Sequence, residues 1–318
     1  MDVIKIFLIV LFYGNYIYDN YFKPMCGDKQ SSALNERIRG NNMKISPFNE
    51  VVYKKASSSL FVISALITVL LMIIEPIINL KLIVGVSCLV LLVVIYLLIW
   101  FYENYRDSIT LSINKTQFCV KSGDIFKEED CFKVIGTNEY FDTSIGDGVV
   151  HVPTLLGVYI EKNYRVTENL KDLDSRIVND MRLGKYKLDV NDNRVTGKKQ
   201  KYKLGSMFMD RDYLLTAFSK MDDCNKCYQS VVDYINFLFC FWEQLETYYS
   251  GKSITMPLFG AGMTKFKDSV IGDQQLLELI LLTFKLSQIN IAYPAKVTII
   301  LLKEKAKKIN FTELKKFK

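Results

Sequence analysis

Histidine is almost missing: His151 is the one imidazole in 318 residues. That removes the commonest zinc ligand, and Cys224 with Cys227 forms a CxxC that has no second pair nearby, so a zinc site is not expected. Seven cysteines cannot all pair, which fits a reducing compartment where thiols stay free. There is no Walker loop and no GxGxxG, and no nucleophile, base and orienting group stand together as a recognisable set. Charge is absent over one long stretch, residues 82–102, and that absence excludes a solvated surface helix there.

What is present begins with that stretch. It is long enough to span about 30 Å of hydrocarbon as a helix. Residues 60–74 are apolar apart from Ser64 and Thr68, and reach spanning length when extended to Ser57 or Ile78. Glu75, Pro76 and Asn79 supply a turn between the two, so a transmembrane helical hairpin is expected over 57–102. Lys44, Lys54 and Lys55 precede it, Arg106 and Lys115 follow it, and the turn has only Lys81. By the positive-inside rule this gives a two-pass protein of the inner or plasma membrane with both termini cytoplasmic. The sequons at Asn114 and Asn310 are then irrelevant. Residues 1–56 read as an N-terminal segment and linker. The apolar run 3–13 is too short to cross a bilayer and no small-residue cleavage pattern follows it, which favours an interfacial or packed helix over a signal peptide.

From about residue 103 the pattern becomes α/β. Residues 109–113 alternate with period two and 118–120 continue after an Asn114-Lys115 turn, a hairpin. Strands are expected at 132–135, 213–218, 253–257 and 297–302, and helices at 166–181, 227–245 and 273–289. Residues 157–160 fit a strand or part of a helix equally. The lysine-rich run 183–204 reads as an exposed excursion, and the closing tail as an exposed helix. Strands alternating with helices imply a mixed, largely parallel sheet wrapped as an α/β/α domain over 103–318.

Three strand ends run into turn chemistry: Gly123-Asp124-Ile125; Thr137-Asn138-Glu139 followed by Asp142 and Gly146-Asp147-Gly148-Val149; and Pro257-Leu258-Phe259-Gly260-Ala261-Gly262-Met263. Glycine lets a backbone N–H approach a diphosphate closely, because it lacks Cβ and tolerates positive φ. In order and spacing these segments resemble the macro domains, α/β/α modules that bind ADP-ribose and its derivatives. With the apolar pair in front, Asn138 to Thr143 and Pro257 to Met263 further resemble the membrane-anchored macro effectors of Thoeris antiphage defence. The resemblance implies that Asp124 accepts a hydrogen bond from the adenine amino group, with Ile125 beside it, and that Asn138 faces the distal ribose. Glu139 and Asp142 would hold hydroxyls or an attached cation, Lys265 would meet a phosphate or Asp147, and Phe259 and Phe266 would cover ribose or base. Bland readings stand beside these: a turn cap for Asp124, a helix cap for Asp142, core packing for both phenylalanines, and a packing or surface role for His151.

Ile135 stands where the family has an asparagine and Gly136 where it has an alanine, and Gly-Asp-Gly replaces three glycines. These departures speak against hydrolysis. The expectation is therefore a non-enzymatic effector without a cofactor. Its signalling ligand, by resemblance, is an ADP-ribose derivative, specifically a histidine conjugate made by a TIR-domain partner. Ligand binding is expected to drive homo-oligomers that breach the lipid bilayer and stop the infected cell, and Ser64, Gly85, Ser87 and Cys88 would permit close helix contacts. No nucleic acid is expected as partner; net charge +7 suits an anionic small molecule or inner-leaflet lipid. The alternatives are a membrane-tethered ADP-ribosyl hydrolase and a reader of ADP-ribosylated proteins.

Overall fold

The computed structural model describes residue 45 and residues 50–73, 78–145, 149–164, 167–222, 224–262, 264–267 and 270–318. The segment 3–13 and most of the linker before 50 lie outside the described residues. Two compact units emerge, Met1–Arg106 with Asn310–Glu313, and Asp107–Ile309 with Leu314–Lys318.

In the first unit α1 (Glu50–Ile73) and α2 (Ile78–Asn104) run antiparallel, with Val52 near the start of α1 packed by Tyr96 and Trp100 near the end of α2. α1 begins at Glu50, ahead of the expected boundary at 57. Ser57, Ser58 and Ser59 are carried within the helix, their hydroxyls donating to the carbonyls of Lys54 and Lys55 one turn back. Over Val86–Asn104, α2 is long and apolar enough to cross a membrane, and it is the one such helix among the described residues. Leu89, Val90, Val93, Val94, Leu97 and Leu98 on it lie exposed. At its end the buried Glu103 carboxylate meets Lys55 of α1, Arg106 (3.5 Å) and the Thr312 hydroxyl (3.0 Å).

The second unit is built on a nine-stranded sheet. β1 (Ser108–Ile113) and β2 (Thr116–Ser122) form a hairpin whose turn residues Asn114 and Lys115 both have positive φ, the two-residue geometry that suits strand twist. β3 (Cys131–Asn138), β4 (Lys187–Val190), β5 (Gln200–Tyr202), β6 (Met207–Asp210), β7 (Tyr213–Met221), β8 (Cys227–Gln229), β9 (Ser253–Pro257), β10 (Lys265–Phe266) and β11 (Lys296–Leu301) follow. The order is β1-β2-β11-β9-β3-β7-β8-β10, with β6 on β7, and β4 and β5 make a separate hairpin. Pairing is parallel from β2 through β11, β9 and β3 to β7; β1 on β2, and β6 and β8 on β7, are antiparallel, and β10 adds parallel to β8. The central strands are buried on both faces, hence their near-continuous apolar runs.

Helices cover both faces. On one lie α3 (Leu155–Asn163), α4 (Thr167–Asn179) and the short α5 (Met181–Gly184), whose Tyr159, Ile160, Leu173, Ile177 and Leu183 pack on Ile135, Leu215 and Ala217. On the other lie α6 (Val231–Tyr248) and α7 (Asp273–Ser287), joined to the sheet by rings: Phe118 against Phe284, and Phe218 against Phe237. The three-layer expectation holds, and residues 157–160 resolve as helix, capped by Thr154. The 227–245 pattern splits: Cys227–Gln229 extends the sheet, and Ser230 caps the helix that follows. The tail is not an exposed helix. A short α8 (Lys303–Ala306) and a 3-10 turn (Glu313–Phe317) flank the buried Ile309 and Phe311, and Leu314 in the turn is buried too, because apolar residues at these positions interrupt the lysines.

Candidate functional site

In a parallel sheet every strand points its carboxyl end to the same edge, and loops leaving that edge form the ligand crevice. Here the ends of β2, β3 and β9 carry the three segments singled out by sequence. The backbone joins them: Gly123 N–H donates to Leu301 O (3.0 Å) and Leu258 N–H to Ile300 O (3.3 Å), so the first and third loops flank the end of β11.

Asp124 is exposed, and one carboxylate oxygen accepts from Phe126 N–H (3.0 Å) as cap of the 3-10 turn Ile125–Lys127; Ile125 itself is buried in the core. Leu258 and Phe259 are also buried. The Phe259 ring stacks on Phe218 (centroids 5.2 Å) and meets Phe237 and Phe241 edge-on, so it packs in the core under the loop. Gly260 has φ +81°, and a Cβ there would lie 3.1 Å from the Phe266 ring, which leaves glycine as the residue that fits. At Gly262 a Cβ would meet nothing within 4 Å; Gly262 is exposed, Pro257, Ala261 and Phe266 partly so, and the Phe266 ring leans on Tyr234 (5.7 Å). Lys265 enters through its backbone pairing with Tyr228. Gly146, Asp147, Gly148 and Met263 lie outside the described residues; Val149, next to the former, is buried with Tyr140, Met221 and Cys227.

The segment after β3 is knotted inward. Asn138 accepts from Tyr140 N–H (3.0 Å) and donates to Asp142 Oδ2 (2.8 Å). Asp142 also takes Arg194 Nη2 (2.7 Å) and Lys198 N–H (2.7 Å), and the Asp142 and Arg194 side chains are each 2% exposed. Arg194 Cζ lies over the Tyr140 ring (3.9 Å to the ring centre), and its Nη2 reaches Asn225 Oδ1 (3.0 Å). Glu139 is buried and accepts from Met221 N–H (3.1 Å); burial pushes its carboxyl above the ordinary range, against the pull of that hydrogen bond and of Lys201, Lys220 and Arg194. Burial likewise pushes the Cys227 thiol up.

Arg194 is what sequence reasoning missed. The run 183–204 was expected to be exposed throughout, and β4 is; but Arg194, Leu183 and Tyr202 are buried. One buried arginine among solvated lysines has no signature in composition. The signal available was Asp142, an acid next to Tyr140 and Phe141 which, if buried, needs a cation. His151 lies exposed before the Thr154 cap, and its carbonyl accepts from the Thr154 hydroxyl (2.7 Å).

Comparison with known proteins gives the following similarities. A family model described as the macro domain of Thoeris protein ThsA matches residues 118–302. Thoeris protein ThsA of Bacillus amyloliquefaciens (strain Y2) is 38% identical over 239 residues, 75% of this chain and 78% of that protein. Among solved structures, the Oceanobacillus iheyensis macrodomain appears as a variant with ADPR, 14% identical over 65% of this chain and 96% of its own at a TM-score of 0.42. The same macrodomain with ADP gives 14% identity, 65% and 94% coverage and a TM-score of 0.42.

Proposed function

The chain belongs to the ThsA macro-domain family, and from that membership we propose that it is a membrane-anchored sensor and effector of antiphage defence. Its second unit binds an ADP-ribose derivative at the carboxyl edge of the sheet. The observation that carries this reading is the convergence of Asp124, the segment after β3 and the Gly260–Gly262 loop on one edge. Open space at Gly262 and an exposed Asp124 give a diphosphate-bearing ligand an amide-rich wall and a carboxylate acceptor. The glycine loop at 146–148 and Lys265 belong to the same proposal.

The anchor is the pair α1 and α2. A helix with exposed leucine and valine along most of its length is stable in contact with lipid, where each buried CH₂ contributes about 0.8 kcal/mol. Both helices cross as a hairpin, and both termini lie in the cytoplasm. Ligand binding, to a histidine conjugate supplied by a TIR-domain partner, brings several copies together and drives the hairpins to disrupt the bilayer. The protein acts by binding and not by turnover, a reading supported by Ile135 and Gly136 at the end of β3, which depart from the family pattern.

Titration calorimetry of the full chain in detergent with ADP-ribose and its histidine conjugate, followed by mass analysis of the recovered ligand and dye leakage from vesicles, tests each part. Tight binding, intact ligand and ligand-dependent leakage are expected. A converted ligand would replace the sensor with a tethered hydrolase, and binding without leakage with a reader; no binding to either compound sinks the reading.

A further inference from the structure

Gln229 ends β8 with its side chain fully buried, 0% exposed, and neither its amide nitrogen nor its amide oxygen has a hydrogen-bond partner among the described residues. A leucine or methionine has nearly the same volume and would avoid this loss, since each buried unpaired polar group costs about 1–3 kcal/mol. A whole carboxamide sealed and unpaired therefore calls for a reason.

Its position supplies one. Cys227 pairs with Met221 across the β7–β8 ladder, and strand alternation puts Gln229 on the same face as Cys227. That face is the one where Cys227 packs with Tyr140, Val149 and Met221, and Val149 directly follows the glycine loop 146–148. On its other side, Gln229 pairs with Phe266, and its carbonyl accepts from Lys267 N–H (3.0 Å), just downstream of the Gly260–Gly262 loop. The unpaired amide thus stands on a strand flanked by β10, which follows the Gly260–Gly262 loop, and by β7, whose neighbour β3 leads toward residues 146–148.

We infer that Gln229 is a ligand-reading residue of the crevice: its carboxamide hydrogen-bonds a part of the bound ADP-ribose derivative that presents a donor beside an acceptor. This rests on the reading of the crevice given above and adds to it the residue that fixes one end of the ligand. A carboxamide offers two donors and an acceptor in one plane. Two parts of such a ligand match it, the adenine edge and the cis-hydroxyls of a ribose. Because both amide atoms are sealed, seating the ligand moves a covering segment, so the unbound form holds an unpaired amide that the bound form satisfies.

The test is Gln229→Leu, with Gln229→Met beside it, in the full chain in detergent. Melting without ligand is measured first, then calorimetry with ADP-ribose and with ADP. The inference expects opposite signs: a melting midpoint equal to or above that of the unchanged protein, and binding of ADP-ribose weakened about tenfold or more, the worth of roughly one lost hydrogen bond. Weakening for ADP-ribose but not ADP assigns the amide to the terminal ribose, and weakening for both assigns it to the adenine end. Raised stability with unchanged affinity overturns the inference, as does failure of both variants to fold, which would make the amide a structural group. If the unchanged protein binds neither compound, it is the crevice reading that fails, and the Gln229 inference with it.

Discussion

Asp142 and Arg194 form the most consequential pair at the scale of single residues. Both charges are withdrawn from water, so neither can be removed alone without stranding the other. Arg194→Ala is expected to cost about 3–5 kcal/mol of unfolding free energy, read by denaturant titration. A loss below about 1 kcal/mol, the range of exposed pairs, would show that the pair is not buried in solution. Glu139 gives a prediction of opposite character. Its folded carboxyl titrates above the unfolded value, so between the two the folded state binds the extra proton, and stability falls as pH rises through that window. Glu139→Gln keeps an acceptor for Met221 N–H and removes the charge. It should flatten the pH dependence above about pH 4.3 and leave the protein no less stable at neutral pH; an unchanged profile would place the titration elsewhere.

The elements show why some of this was legible and some not. β9 was read from sequence with its observed bounds because its Ile254 and Met256 alternate with Ser253 and Thr255 in a short run that stops at Pro257 ahead of Gly260. The β1–β2 turn announced itself through Asn114. Arg194 and Gln229 left no such mark: each is polar, sits beside other polar residues, and is buried only because distant strands enclose it. The same holds for β6, an edge strand whose Asp210 accepts from the Tyr159 (2.5 Å) and Tyr164 (2.6 Å) hydroxyls and from Arg176 (2.7 Å), fastening it to α3 and α4. Burial pushes Asp210 up, but these three donors more than offset it and hold its carboxyl below the usual range. Its contribution is present above the unfolded value of about 3.9 and lost as pH falls through the depressed folded one. Asp210→Asn should cost about 1.5–3 kcal/mol at neutral pH and flatten the acid limb of the stability curve. An acid limb identical to that of the unchanged protein would remove Asp210 from the account.

In the whole molecule, the sensing proposed above requires a physical path from the sheet edge to the helices. Chain continuity provides one: β11, whose end is bonded to both Gly123 and Leu258, runs through residues 302–309 into the segment whose Thr312 hydroxyl holds Glu103. The same carboxylate holds Lys55 at the start of α1 and Arg106 just past α2. One side chain therefore ties the two helices of the first unit to the strand-11 tail. Glu103→Leu cuts these ties without leaving a buried charge, and its cations Lys55 and Arg106 retain access to solvent, so the helices should still form. Where the clasp restrains the hairpin, this variant should bind ADP-ribose with affinity within about twofold of the unchanged protein, a difference of roughly 0.4 kcal/mol, yet leak vesicles before any ligand is added. Leakage that still waits for ligand would reduce Glu103 to a packing role and require the signal to travel instead through the β1–β2 hairpin and Asp107, the covalent link between the sheet and α2.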